Sequence, residues 1–109
     1  MREYMSQAVL DVVTERHRQI QSEGWTPEHD NAHDKGEMAW AAVVYASNAS
    51  PPGQGLGADR ERIVRLFWPW DWSWWEPTSR RRDLVKAAAL LLAEIERLDR
   101  AEEREHGQR

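Results

Sequence analysis

Acidic side chains at two places along the chain have the chemistry of a divalent-cation site. Asp34 and Glu37 are three residues apart. On a helix they share one face, so their carboxylates could together hold a hard cation such as Mg²⁺. Asp83 opens another predicted helix. Acidic residues in a helix's first turn also complement the helix dipole without binding anything, and this alternative stays open for Asp34 and Asp83.

Basic side chains surround the second acidic position. Arg80, Arg81 and Arg82 precede Asp83, and Lys86 follows it. Positive charge at the start of a helix opposes the helix dipole, so a bound anion would be favoured there. A solvated run of arginines at a helix start is the alternative.

Zinc sites find little support in the sequence. The chain has no cysteine, which excludes disulfides and cysteine-based zinc sites. His29 and His33 are spaced like a pair of zinc ligands, but no third strong ligand lies at a suitable spacing. We therefore expect both histidines to be solvated loop residues.

The most unusual segment is WPWDWSWWEP, residues 68–77, which holds five of the seven tryptophans. Some of these rings must fill the core, since each can bury on the order of 200 Å². Burying all five in a small domain is difficult. One or two of them, beside Arg80 and Arg81, would offer a stacking surface for a nucleobase and cations for its phosphates. An exposed anchor patch for a protein partner is the alternative.

Hydrophobic periodicity predicts an all-α fold, a bundle of three long helices and one short helix. Gly24 ends the first helix, Asp30 or Asn31 caps the second, Asp59 caps the short one, and Thr78 or Ser79 caps the last. The predicted helices span residues 4–23, 33–47, 59–67 and 80–103. The apolar stripe of the first helix consists of Met5, Val9, Val12, Val13 and Ile20, and that of the last consists of Leu84, Ala87, Ala88, Leu91, Ile95 and Leu98.

Proline, glycine and asparagine mark the connections between these helices. Residues 25–32 and 48–58 predict loops. The tryptophan-rich segment predicts an ordered loop packed on the bundle. Its alternating tryptophans could suggest a strand, but prolines bracket the run and no pairing partner is evident elsewhere.

Composition limits the kinds of partner. The length predicts one domain, residues 1–103, followed by a frayed tail, residues 104–109. The net charge of −4 argues against binding long nucleic acid, which needs a basic face. No segment approaches the roughly 20 apolar residues of a membrane span, and no signal peptide is evident, so we expect a cytoplasmic protein without a membrane partner. Residues 87–93 are apolar all round the helix, which predicts a homodimer or a higher homo-oligomer.

Three stretches resemble the small MazG-like proteins of the all-α nucleoside triphosphate pyrophosphatase superfamily, especially short phage and prophage members. They are TERHRQIQSEGWTPEHD, DKGEMAWAA and RRDLVKAAALLLAEIERLD, and the resemblance covers about residues 12–38 and 68–100. It implies a helical bundle, dimeric or higher. It also implies Mg²⁺ bound by a Glu-x-x-Glu and a Glu-x-x-Asp pair, with water cleaving a nucleoside triphosphate between its α- and β-phosphates.

The resemblance assigns roles to four positions. Asp34 and Glu37 stand where its first acidic pair falls, and Asp83 stands on the first acid of its second pair. Lys86 occupies the place of the last acid. An ammonium group there would offset the charge that attracts a metal, and it could contact a phosphate instead.

The resemblance extends to the first helix and leaves one alternative. Glu15 and Arg16 match the Glu-Arg of the family's opening helix, where Glu15 could replace the missing acid. Glu96 and Asp99 form an alternative acidic pair, but they lie some four turns further along, where solvated charge is expected.

Three hypotheses about function follow. The first is a binding protein that sequesters a nucleotide or a nucleotide-derived signal, linear or cyclic, without hydrolysis; the phage resemblance suggests a counter-defence role. Its ligand-binding residues are Arg16, Trp25, Trp70, Trp72, Arg80, Arg81 and Lys86. The second is an Mg²⁺-dependent pyrophosphohydrolase that releases nucleoside monophosphate and pyrophosphate. Its catalytic residues are Glu15, Asp34, Glu37 and Asp83, the last three also binding the metal. The third is a helical protein–protein interaction module.

Overall fold

The computed structural model describes residues 5–53 and 55–107, except for the side chain of Leu56. This part of the chain contains α-helices and 3₁₀ turns but no strand, so the all-α prediction is confirmed. The predicted helical position 4 and the tail residues 108–109 lie outside the described residues. The helices are α1 (Gln7–Ser22), α2 (Pro27–Asn31), α3 (Glu37–Asn48), α4 (Arg60–Phe67) and α5 (Arg80–Gly107), with 3₁₀ turns at Gly55–Asp59 and Trp72–Trp74.

The core lies between α3 and α5. Helix α3 contributes Met38, Ala41, Ala42, Val44 and Tyr45, and α5 contributes Ala87, Leu90 and Ala93. The many alanines let the two helices approach closely. Trp68 covers one end of this core. Because the end of α3 meets the start of α5, with Asn48 Nδ2 donating to Asp83 Oδ2 over 3.2 Å, the two helices run antiparallel.

Helix α1 packs on the bundle through charged rather than apolar side chains. Glu15, Arg16 and Gln19 are its buried residues, whereas Val9 and Val13 of the apolar stripe that predicts this helix are exposed. Hydrophobic periodicity therefore located the helix but not its inner face, because the partners facing α1 are themselves charged.

Arg16 is the centre of this charged contact. Its guanidinium donates to Asp30 Oδ2 over 2.8 Å, to Glu96 Oε1 over 3.0 Å and to the Trp25 carbonyl over 3.4 Å. One side chain of α1 thus holds the α1–α2 connection, α2 and α5 together. Arg16 and Asp30 are both buried, whereas Glu96 is partly exposed.

The sequence predicted a loop between α1 and α3, and the structure has a short helix there. This helix is α2, whose first turn is capped by Thr26, since the Thr26 hydroxyl accepts the His29 backbone N–H over 3.2 Å. Pro27 occupies the first helical position, where its missing N–H costs nothing. Asp30 and Asn31 belong to α2 and do not cap α3. Gly36 precedes α3 in the left-handed conformation, with φ of 81°.

The start of α5 agrees with the prediction, and its end lies further on. The Ser79 hydroxyl accepts the Arg82 backbone N–H over 3.1 Å and so caps the helix. Helix α5 runs to Gly107, beyond the predicted end at residue 103. None of the helices in the described ranges is both long and apolar enough to cross a membrane.

We expect Arg16→Ala to lower the free energy of unfolding by about 3–5 kcal/mol, because it leaves the Asp30 carboxylate buried without its cation. Arg81→Ala is the matched control: Arg81 also pairs with an aspartate over 2.8 Å, but at the surface. The free energy of unfolding that Arg81→Ala loses should be a small fraction of the free energy that Arg16→Ala loses. Urea denaturation of both variants measures the difference, and equal losses would contradict a structural role for Arg16.

Candidate functional site

A pocket of about 200 Å³ opens between α2, the start of α3 and the tryptophan-rich segment. We call it the aromatic pocket. Its lining residues are Trp25, His29, Asp30, His33, Met38, Trp70, Asp71 and Trp74. The volume lies below the usual range for drug-sized ligands and is suited to one flat ring system.

Five aromatic rings follow one another around this pocket. Trp74 and Trp25 have ring centroids 5.8 Å apart, and Trp25 and Trp70 are separated by 5.6 Å. Trp70 lies 5.3 Å from His33, which in turn lies 4.8 Å from His29. These distances are within the range of favourable aromatic contacts, and the rings are tilted rather than stacked on one another.

The tryptophan-rich segment is held in place by its inner rings. Trp68 is buried against Tyr45, with the rings edge to face at 5.6 Å, and its indole N–H donates to the Asp71 carbonyl over 3.1 Å. The Asp71 side chain then accepts the Ser73 backbone N–H over 2.9 Å and caps a 3₁₀ turn. This turn ends the strand-like alternation and confirms the prediction of an ordered loop.

Trp70 carries a buried hydrogen-bond donor without a partner. Its Nε1 is shielded from solvent, and no described residue accepts its hydrogen bond. Such a group costs roughly 1–3 kcal/mol, and a ligand can accept this hydrogen bond only after the ring shifts to expose Nε1.

Asp30 provides an acceptor at the pocket. Its Oδ2 accepts from Arg16, whereas His29 Nδ1 lies 3.7 Å from its Oδ1, too far for a hydrogen bond. A carboxylate oxygen beside flat rings can accept a hydrogen bond from the polar edge of a heterocycle.

The charge around the aromatic pocket is negative rather than positive. The Ser73 backbone N–H lowers the pKa of Asp71. Burial alone would raise the pKa of Glu37, which flanks the pocket, but the Lys35 backbone N–H at 2.7 Å and the His33 ring at 3.3 Å lower it. Both groups are therefore carboxylates at neutral pH. The residues lining the pocket include no lysine or arginine.

A narrow crevice of about 20 Å³ adjoins the pocket and shares Trp25 and Trp74 with it. That volume has room for about one water molecule. Its charged lining residues are Glu15, Arg18, Glu23, Glu76 and Lys86.

Glu15 is the buried anion of this crevice. Arg18 binds it through two nitrogens, over 2.8 and 2.9 Å, and Arg82 forms a further ion pair with it. Burial would raise the pKa of Glu15, but the hydrogen bonds and charges of Arg18 and Arg82 outweigh this and lower it.

Lys86 lies in the same crevice. Its ammonium donates to the Glu76 carbonyl over 2.5 Å and lies 5.4 Å from the centre of the Tyr45 ring. Burial lowers the pKa of Lys86 against the opposing attraction of Asp83. One of its three N–H donors is occupied by a described residue, so others can be offered to an anion.

The three predicted metal ligands do not come together. Asp83, in the first turn of α5, is buried next to the end of α3. There it accepts hydrogen bonds from the Thr78 backbone N–H over 2.8 Å and from Asn48. Glu37 begins α3, about 16 Å from Asn48 along the helix, and Asp34 lies beside it at the surface. Within residues 5–53 and 55–107, no three histidine, aspartate or glutamate side chains are grouped to hold a metal ion. These residues do not fit the Mg²⁺ site that the resemblance implies.

The predicted ligand-binding residues are divided between the pocket and other places. Trp25 and Trp70 line the aromatic pocket, Lys86 lies in the adjoining crevice, and Arg16 holds Asp30 from behind. Trp72 is half exposed and does not line the pocket.

Arg80 and Arg81 serve structural contacts at the start of α5. Arg80 donates to the Ala49 carbonyl over 2.7 Å, and Arg81 pairs with Asp11 over 2.8 Å. Neither of them lines the pocket or the crevice. Their positive charge is therefore used to join helix ends rather than to surround the aromatic rings.

Six of the eight residues that line the pocket were not among the predicted ligand-binding residues. They are His29, Asp30, His33, Met38, Asp71 and Trp74. One available signal was the Thr-Pro start of α2, which places His29 and His33 on a short helix and its exit rather than in an irregular solvated loop. No local pattern indicates that these histidines meet Trp70.

Comparison of the chain with protein-family models, with curated proteins and with solved structures finds no match.

We expect Glu15→Gln to lower the free energy of unfolding at pH 7 and to have a diminishing effect in acid. The pKa of Glu15 is lower in the folded than in the unfolded protein, so its stabilisation is complete above the unfolded pKa of about 4.3. It is lost as the pH falls through the lower, folded pKa. Urea denaturation of both proteins between pH 7 and pH 3 tests this. A difference that stays constant over the range would contradict it.

Proposed function

We propose that this protein binds a nucleotide or a nucleotide-derived molecule by holding its base in the aromatic pocket, and that it releases the ligand unchanged. The observation that carries the proposal is the run of five aromatic rings around a space of about 200 Å³. Flat rings of this kind stack with any nucleobase, and each stacked base contributes roughly 1–3 kcal/mol.

The polar groups of the pocket support a heterocycle as the ligand. Asp30 Oδ1 can accept a hydrogen bond from a donor in the pocket. Every nucleobase carries an N–H group that can donate to it. A purely apolar ligand has no donor for this carboxylate oxygen and so gains less from the site.

The charges favour placing the phosphates outside the pocket. Asp71 lines it and Glu37 flanks it, both as carboxylates, so a phosphate inside would be repelled. The crevice beyond Trp25 and Trp74 contains Arg18 and Lys86. Arg18 is paired with Glu15 and Glu23, so Lys86 is the cation there with N–H donors to offer a phosphate. We therefore expect the base to enter between the rings and its phosphates to extend over Trp74 towards Lys86.

Binding without turnover is favoured over hydrolysis by the positions of the carboxylates. A pyrophosphohydrolase of the kind suggested by the resemblance needs several acids around one metal. Asp83 is separated from Asp34 and Glu37 by the length of α3, and its oxygens already accept hydrogen bonds. We also propose that the protein is a MazG-like protein and that it sequesters a nucleotide-derived signal.

The direct test is one incubation carried out with Mg²⁺ and with a chelator. The protein would be mixed with mono-, di- and triphosphates of each nucleoside and with cyclic nucleotides, and the bound fraction recovered by heating and analysed by chromatography. We expect one ligand or a related group to be depleted from solution in both conditions and recovered intact. Conversion of a triphosphate to monophosphate only with Mg²⁺ would establish the enzyme instead. Depletion of none would contradict nucleotide binding.

A matched pair of tryptophan variants locates the site. Trp74→Ala removes a pocket ring that is 41% exposed, and Trp72→Ala removes a 52% exposed ring that does not line the pocket. The two residues share one 3₁₀ turn. For the nucleotide identified above, we expect Trp74→Ala to raise the Kd roughly 5- to 150-fold, which corresponds to one stacked base.

Isothermal titration calorimetry would measure both variants, and Trp72→Ala should bind within about twofold of the unaltered protein. Equal weakening by both variants, or weakening by Trp72→Ala alone, would place the ligand elsewhere.

A further inference from the structure

Helix α5 has a second apolar face that its own chain leaves uncovered. Leu84, Leu91, Ile95 and Leu98 are all about half exposed, and Ala88 lies between them. Their spacing along the helix is four, three, four and three residues, which places them in one stripe and is the repeat of a coiled-coil interface. We call these five residues the seam.

The seam points away from the core. At 100° per residue, it is on the opposite side of α5 from Lys86, Ala89, Leu90 and Ala93, which are buried against the rest of the protein. The apolar run at 87–93, which predicts an oligomer from the sequence, is thus divided. Most of it fills the core of this chain, and Ala88 and Leu91 belong to the seam.

The shape of the molecule agrees with a missing partner. The radius of gyration is 15.2 Å, whereas a single domain of this length is expected to have about 13 Å. Helix α5 is about 42 Å long by its residue count, and the longest dimension of the molecule is 51 Å. The last turns of α5, residues 102–107, are exposed, and Ile95 and Leu98 before them are about half exposed.

We propose that a second copy of this chain covers the seam, with the two α5 helices antiparallel. The charges at the two ends of the helix select this direction. Arg80 and Arg81 lie at the start of α5, and Asp99 and Glu102 lie beyond the end of the seam. An antiparallel pair brings the basic end of each helix to the acidic end of the other. A parallel pair would place like charges together.

The three leucines of the seam are evenly spaced about its midpoint, which suits a two-fold interface. Leu91 is at the midpoint, seven residues from both Leu84 and Leu98. With Leu91 on the two-fold axis, Leu84 packs against Leu98 of the partner subunit, and Arg80 comes level with Glu102 of the partner subunit. Ala88 is then one residue out of register with Ile95 of the partner subunit and packs beside it.

The oligomeric state tests the interface first. Sedimentation velocity and light scattering over a range of concentrations should give twice the mass of the chain. Ile95→Glu should give the mass of one chain, because it puts a charge into the seam, yet it can fold since Ile95 is exposed within the monomer. Leu66→Glu is the matched control: Leu66 is an exposed leucine on α4 and should leave the dimer intact. A monomeric unaltered protein, or a dimeric Ile95→Glu, would overturn the proposal.

Single cysteines test the direction of the helices, and the absence of cysteine from the chain makes this simple. Under oxidation, Leu91→Cys should form a disulfide-linked dimer, because the two copies of this residue meet at the axis. Leu84→Cys should remain uncrosslinked by itself and should crosslink when mixed with Leu98→Cys. Crosslinking of Leu84→Cys with itself, or failure of Leu91→Cys to crosslink, would overturn the antiparallel arrangement.

The seam and the aromatic pocket can be tested separately, because they involve different residues. A dimer that binds no nucleotide would leave the seam established and contradict only the proposed function. A monomer that binds nucleotide at Trp74 would do the reverse.

Discussion

The buried guanidinium of Arg16 is the interaction on which the rest of the structure depends. It donates hydrogen bonds to Asp30 in α2, to Glu96 in α5 and to the Trp25 carbonyl in the α1–α2 connection. Arg16 therefore joins α1 to all three of these elements. A buried ion pair contributes little to stability compared with apolar packing, but loss of one partner is costly. Its importance here is positional: Trp25 and Asp30, which Arg16 holds, both line the aromatic pocket.

The tryptophan-rich segment has two roles, and its composition alone does not show which tryptophan has which role. Trp68 and Trp75 pack against Tyr45 and belong to the structure of the domain. Trp70 and Trp74 instead face the pocket. The turn capped by Asp71 is followed by a change of side, since Trp74 lines the pocket and Trp75 packs against Tyr45. A high tryptophan content therefore reflects both a small core and the aromatic pocket beside it.

The sequence predicted the helices better than the contacts between them. The apolar periodicity of α3 marks the face that forms the core, because that face meets other apolar side chains. In α5 the large residues of the predicted stripe are half exposed and form the seam, whereas Ala87, Leu90 and Ala93 face the core. For α1 the same reasoning marked Val9 and Val13, which are exposed. Its true inner residue, Arg16, has partners 14 and 80 residues away, and no local pattern can pair charges over such distances.

The sequence predicted the candidate site only in part, because it too depends on contacts between residues that are distant along the chain. Trp25 and Trp70 could be proposed from their flat surfaces alone, and both line the pocket. The arginines at 80 and 81 are adjacent to the tryptophans in sequence, yet they bind the Ala49 carbonyl and Asp11. Proximity along the chain suggested a phosphate site, whereas the antiparallel packing of α3 and α5 gives these cations structural partners.

The indole N–H resonances in a two-dimensional ¹H–¹⁵N spectrum would test nucleotide binding in the aromatic pocket most directly. The seven tryptophans each give one signal, and single substitutions to phenylalanine assign them. On titration with the nucleotide that the protein depletes from solution, the signals of Trp70, Trp25 and Trp74 should move, because their rings line the pocket. Those of Trp40 and Trp72 should stay. Movement confined to Trp40 and Trp72, or no movement with any nucleotide, would contradict the account.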